Sequence, residues 1–257
     1  MKLLEALGIE SGDMVTFIGA GGKTTAMFRL ARESLRKEKV VIVTTTTKIL
    51  KSEGKKADCL ILSSNLNDMK NQVSRAVGTY EIVAIASGVV EGKKLSGLEP
   101  GWIDELSEIN DLGMIIVEGD GAFHKSLKAP ADYEPVIPPS TNTVAHVLGI
   151  DVIGKPLNSK NVHRPEIVSS LTGFETGDSI TPELAARIIS HKEGGLKNVP
   201  SGARVVPLIN KVENEEDEEN ATVLSEKILG LSGKVIGKVA IGNVQSENPV
   251  IKLIERN

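Results

Sequence analysis

The stretch "VTFIGAGGKTTAMF", Val15 to Phe28, combines an apolar run, a glycine cluster, a lysine with two threonines and the start of a helical pattern. Those types in that order suit a phosphate chain. Glycines let successive main-chain N–H groups turn inward, and the start of a helix adds the positive end of its dipole. A lysine then neutralises the terminal phosphates, and the adjacent hydroxyl joins a magnesium shell that otherwise keeps its waters. Gly19, Ala20, Gly21, Gly22, Lys23, Thr24 and Thr25 supply these parts. The pattern G-x-x-x-x-G-K-[ST] would place its first glycine at position 17, which is Phe17, so the strand is expected to run further before the chain turns. The alternative is a glycine-rich strand-to-helix turn that holds nothing.

Three further segments carry reactive side chains at the ends of apolar runs. "MIIVEGDGAF" offers Glu118 and Asp120, whose spacing in extended chain points both to one side. Either suits a magnesium ion or the attacking group, Glu118 first, and either could instead cap the following turn. "VTTTTKI", Val43 to Ile49, could sense a γ-phosphate through its hydroxyls and Lys48, or reflect the β propensity of threonine alone. "PLINKVE" resembles the N-K-x-D base-recognition motif of GTP-binding proteins, with Asn210 and Lys211 in place and Glu213 where aspartate would pair with guanine. The longer side chain displaces that carboxylate, so ATP and GTP both stay open.

These residues need a frame. Strand-length apolar runs recur at 14–18, 40–44, 59–62, 82–86, 114–118, 204–209 and 234–241, with helical patterns at 24–37, 66–77 and 218–229. Continuous apolar strands alternating with helices predict an α/β fold, a mostly parallel sheet covered on both faces and of the P-loop NTPase type. We expect a single nucleotide-binding domain over 1–257. Proline-rich 121–203 has no clear strand series and reads as an elaborated insertion. The acidic run "ENEEDEEN" reads as a solvated helix start, and "MKLLEALGIESGD" as a short amphipathic helix with a turn. Cys59 reads as a small core residue of a buried strand.

A net charge of −4 supplies no general reason to hold nucleic acid or an anionic membrane. The chain has neither a leader-like start nor an apolar run of spanning length, so a cytoplasmic location is expected.

Taken together, "FIGAGGKTT", "VTTTTKI", "VEGDGAFHKSLKAPADYEPVIPPST", "GKPL", "VHRPE" and "INKVE" resemble the YqeC family of selenium-dependent hydroxylase accessory proteins across nearly the whole chain. Gly119 and His124 depart from that pattern. The resemblance implies a nucleotide-binding accessory factor for maturing selenium-containing molybdenum hydroxylases, with such an enzyme or its cofactor as partner. In the central block, Lys125, Lys128, His163 and Arg164 become candidates for gripping a second anionic substrate, or are surface and capping residues. Three functions follow as expectations. One is a magnesium-dependent NTPase in which Lys23, Glu118 and Asp120 are catalytic and Thr24, Glu118 and Asp120 hold Mg2+. The second is a nucleotide-switched binding module for a client enzyme. The third is a Mur-type ligase: "GAGGKTT" resembles the loop of the Mur ligases, which also lacks the early glycine and binds ATP, but the chain is short for that family.

Overall fold

Strands that are apolar at successive positions need cover on both faces, and the computed structural model, which describes residues 1–35 and 39–256, provides it. The main sheet has nine strands: β1 (Met14–Gly19), β2 (Val40–Thr45), β3 (Cys59–Leu62), β4 (Ile82–Ala86), β5 (Leu112–Glu118), β6 (Thr143–Gly149), β7 (Arg204–Asn210), β8 (Lys238–Gly242) and β9 (Val250–Glu255). Their order is β9-β8-β7-β6-β1-β5-β2-β4-β3, parallel throughout except for β9 against β8. The helices are α1 (Leu3–Leu7), α2 (Lys23–Glu33), α3 (Lys51–Gly54), α4 (Leu66–Ala76), α5 (Pro100–Leu106), α6 (Pro165–Thr172), α7 (Pro182–Ser190) and α8 (Glu215–Leu231).

Period-two alternation sorts the side chains. Val15, Phe17, Val41 and Val43 face α1 and α2 in one core. On the other face Ile42, Ile115 and Val117 meet α4 and α5, while Val144, Leu148 and Ile209 meet α6, α7 and α8. The fold is α/β with a mostly parallel sheet and is P-loop NTPase-like. The chain leaves β1, skips the place taken by β5 and continues in β2, so a crevice opens at the carboxyl ends of β1 and β5, where such sheets bind ligands.

Most expected strands form within a residue or two of their predicted bounds, and the buried Phe17 confirms that β1 runs on to Gly19. The structure also corrects the sequence reading. Thr143–Gly149, inside the segment read as lacking strands, is a fully buried central strand beside β1. Its histidine and threonine masked an otherwise apolar run. The strand expected from 234 begins only at Lys238, after a turn through Gly233 in the left-handed region (φ 56°). The helix expected over 24–37 ends at Glu33, and residues 36 and 37 lie outside the described residues. Cys59 is only half-buried because β3 is an edge strand. Two small sheets flank the crevice: Lys48–Leu50, Lys94–Ser96 and Gly88–Val90 form one, and Leu127–Lys128 pairs with Val162–His163 in the other.

Candidate functional site

The loop between β1 and α2 can be built only from glycine at its turning points. Gly19, Gly21 and Gly22 have φ of 88°, 95° and 117°. A Cβ on Gly21 would lie 2.2 Å from the Gly149 nitrogen, and one on Gly22 2.6 Å from Asn210 Nδ2. α2 starts at Lys23 with no side chain capping its N-terminus, which leaves its first-turn N–H groups available to an anion.

Register then brings the acids in. Phe17 of β1 pairs with Glu118 of β5, so Glu118 ends its strand beside the loop, with Asp120 two residues on. Lys23 lies between them, its Nζ 3.1 Å from Asp120 and 3.7 Å from Glu118, and donates to the Gly19 carbonyl at 2.7 Å. Asp120 also accepts the Gly19 N–H at 3.0 Å. Thr24 Oγ1 donates to Glu118 at 2.9 Å. Burial opposes the charge on Lys23, but Asp120 and Glu118 outweigh it and hold the lysine pKa above its ordinary value. Burial pushes the Glu118 carboxyl up, against the pull of Lys23 and the Thr24 hydroxyl.

The ion pairing continues away from the loop. Asp120 pairs with Lys128 at 3.0 Å, Lys128 with Glu134 at 2.8 Å, and Glu134 with Arg164 at 2.6 Å. Three carboxylates and three cations thus alternate from Glu118 to Arg164, which is how so many charges can be buried together. Glu134 pays a burial penalty, yet Arg164 and Lys128 hold its pKa down to about 2.

Asn210 braces the loop from β7. Its Nδ2 donates to the Gly21 carbonyl at 2.7 Å and its Oδ1 accepts the Val244 N–H at 2.9 Å. Lys211, in the left-handed region, turns to Ser126 Oγ at 2.8 Å and Asp151 at 3.2 Å, while Glu213 is exposed. A cavity of about 370 Å³ opens here between Asn210, Lys211, Glu213 and residues 243–245. A second, of about 350 Å³, opens on the other side of the loop toward Glu118, Lys48 and Lys125. Gly22 and Thr25 line both.

Among the described residues no group of three or more His, Cys, Asp or Glu side chains is placed to hold a metal ion. The Thr24 hydroxyl and Glu118 carboxylate form instead a pair of hard oxygens beside the loop. That suits magnesium, which takes one or two protein oxygens and completes its shell with phosphate and water.

The sequence-predicted residues do not all meet. The loop, Glu118, Asp120 and Asn210 converge. Lys128 and Arg164 lie in the ion chain behind Asp120 rather than facing open space, whereas Lys125 lines the second cavity and donates to the Lys160 carbonyl. His163 packs its ring 4.9 Å from that of Phe123. The threonine hydroxyls bond main chain: Thr44 to Ile85, Thr45 to Glu118 and Thr46 to Val136 carbonyls. Sequence reasoning missed Glu134, whose signal was an acid inside the "ADYEPVIP" block, and His146, buried in β6 against Gly19.

A family model described as YqeC protein matches residues 15–166, from β1 through the ion chain to the start of α6. The chain belongs to the YqeC family. A YqeC relative from Escherichia coli (strain K12), whose printed name is "Uncharacterized protein YqeC", is 28% identical over 238 residues, covering 93% of this chain and 90% of that protein. No solved structure matches the chain at a significant level. Among the described residues no helix is long and apolar enough to cross a membrane.

Proposed function

We propose that the protein is a magnesium-dependent ATP- or GTP-binding protein that hydrolyses its nucleotide. The observation that carries this reading is the placement of Lys23 at the head of α2, beside glycines with positive φ and within reach of Glu118 and Asp120. Loop amides and Lys23 would bind the phosphates and stabilise charge on the transferred phosphoryl group, once Lys23 exchanges Asp120 for phosphate. Thr24 and Glu118 would hold magnesium, which would neutralise phosphate charge when bound. Glu118 or Asp120 would position the attacking water. Asn210 and Lys211 would position the base.

For the biological role, the family resemblance supports a step in maturing selenium-dependent molybdenum hydroxylases, acting on the enzyme or its cofactor in the cytoplasm. A second reading, a nucleotide-switched binding module, is favoured by one observation. Thr46 bridges the β2 end to the Val136 carbonyl, so nucleotide-dependent movement there would reach the segment after Asp120.

Calorimetric titration with non-hydrolysable ATP and GTP analogues, with and without magnesium, tests the site. Magnesium-dependent binding is expected, weakened at least about tenfold by Lys23→Ala, the loss of one charge-assisted contact. Wild-type affinity and turnover in that variant would refute the assignment. Client affinity that changes with nucleotide while turnover stays negligible would favour the switch.

A further inference from the structure

The cavity on the Glu118 side of the loop has a lining that nucleotide binding leaves unexplained. The base-recognition residues Asn210, Lys211 and Glu213 all line the other cavity. On this side Lys48, Lys56, Lys94 and Lys125 join Lys23, against only Glu53 and Glu118. Lys48 and Lys94 share a single carboxylate, Glu91, each at 3.0 Å, and Lys56 pairs with Glu53 at 2.5 Å. Lys125 has no carboxylate partner among the described residues and donates to the Lys160 carbonyl. The cavity therefore keeps an excess of positive charge after its internal pairs are made.

An aromatic ring stands at the same mouth. Phe123 is 74% exposed, the most exposed of the large apolar side chains outside the core. It and His124 both adopt left-handed backbone, with φ of 48° and 58°. Two adjacent non-glycine residues in that region are strained, and strain of this kind collects at ligand sites. Here it holds the Phe123 ring out beside the lysines, touching His163. The lining comes from four separate chain segments: the 21–25 loop, 48–56 with Lys48 and Lys56, the strand carrying Lys94, and 118–125 with Phe123 and Lys125.

We infer that this cavity binds a second substrate, a small phosphate monoester carrying a flat ring, with the lysines on the phosphate and Phe123 against the ring. Rings stack on exposed aromatics without needing hydrogen-bond readout, and lysine is a point charge suited to phosphate. A volume of about 350 Å³ accommodates such a molecule. Since Lys23, Thr24 and Glu118 also line it, the second substrate and the nucleotide phosphates share a wall. The placement of this ligand as a second substrate rests on the nucleotide reading above.

The test uses the full chain held in saturating non-hydrolysable ATP analogue and magnesium, with riboflavin 5′-phosphate as the probe and riboflavin and inorganic phosphate as its two halves. The phosphorylated flavin is expected to bind, with each half weaker by about tenfold or more, as the loss of a stacking or charged contact worth about 1.4 kcal/mol would give. Phe123→Ala and the Lys94→Ala/Lys125→Ala double variant should each weaken it about fivefold to tenfold, a loss of about 1 kcal/mol or more, with nucleotide affinity within about twofold of wild type. These side chains lie at the surface, and a thermal melt verifies folding. Absence of flavin phosphate binding, or equal binding by wild type and both variants, overturns the inference. Flavin phosphate binding that follows the variants in a protein that fails to bind either nucleotide would refute the nucleotide reading while leaving an anion site at these lysines.

Discussion

Lys23 is 4% exposed, and a cation so enclosed is held by its partners alone. Asp120 is the nearer of the two, and it also occupies the Gly19 N–H, so in this state one carboxylate takes donors that a phosphate would want. Asp120→Asn should therefore have two effects of opposite sign. The protein loses about 3 kcal/mol of stability, the cost of breaking a buried pair, while its affinity for the nucleotide analogue rises. Urea unfolding and calorimetry measure both, and weaker nucleotide binding would mean that Asp120 supports the nucleotide instead of competing with it. Asn210 acts more simply. Asn210→Ala leaves the Gly21 carbonyl and the Val244 N–H without their partner, and should cost about 1–3 kcal/mol of stability along with nucleotide affinity.

Elements matter here through their ends. β1 delivers Gly19 because its register with β5 and β6 is set by the same alternation that fills the two cores. α8 is capped by Asn214, whose side chain accepts the Asp217 N–H at 2.9 Å, and its first turn carries Glu215, Glu216, Asp217 and Glu218 at the positive end of the helix dipole. Asn214→Ala should lower stability by about 1 kcal/mol, read as a shift in the urea midpoint. Raising the salt concentration should erode the share contributed by the acidic turn, because those carboxylates are solvated and screened.

At the scale of the whole molecule, buried titratable groups make stability depend on pH. His146 lies buried between Gly19 and Gly195, and burial lowers its pKa to about 4. The unfolded chain takes up that proton near the ordinary histidine value of about 6.5, whereas the folded protein refuses it until about pH 4, so stability falls as pH drops through this window. The full effect is about 3 kcal/mol for a shift of this size. Glu134 acts lower: its pKa of about 2 gives stability that is complete above the unfolded carboxylate value and lost as pH falls toward 2. Chemical unfolding from pH 7 to pH 3 should show a decline beginning above the carboxylate range, and a His146→Gln variant should lose that upper part while keeping the lower.

The sequence by itself determined the α/β class, seven strand positions, the glycine loop with Lys23 and Thr24, and Glu118 with Asp120, because these depend on short-range pattern and side-chain chemistry. It did not reveal β6, since Thr143 and His146 interrupt the apolar signal and their burial comes from neighbours distant in the chain. Nor could it show that Lys128 and Arg164 meet Glu134, or that Lys48, Lys94 and Lys125 line one cavity with Phe123. Those are long-range pairings, chosen by strand order and by the need to neutralise charge away from water. Local spacing carries no record of them.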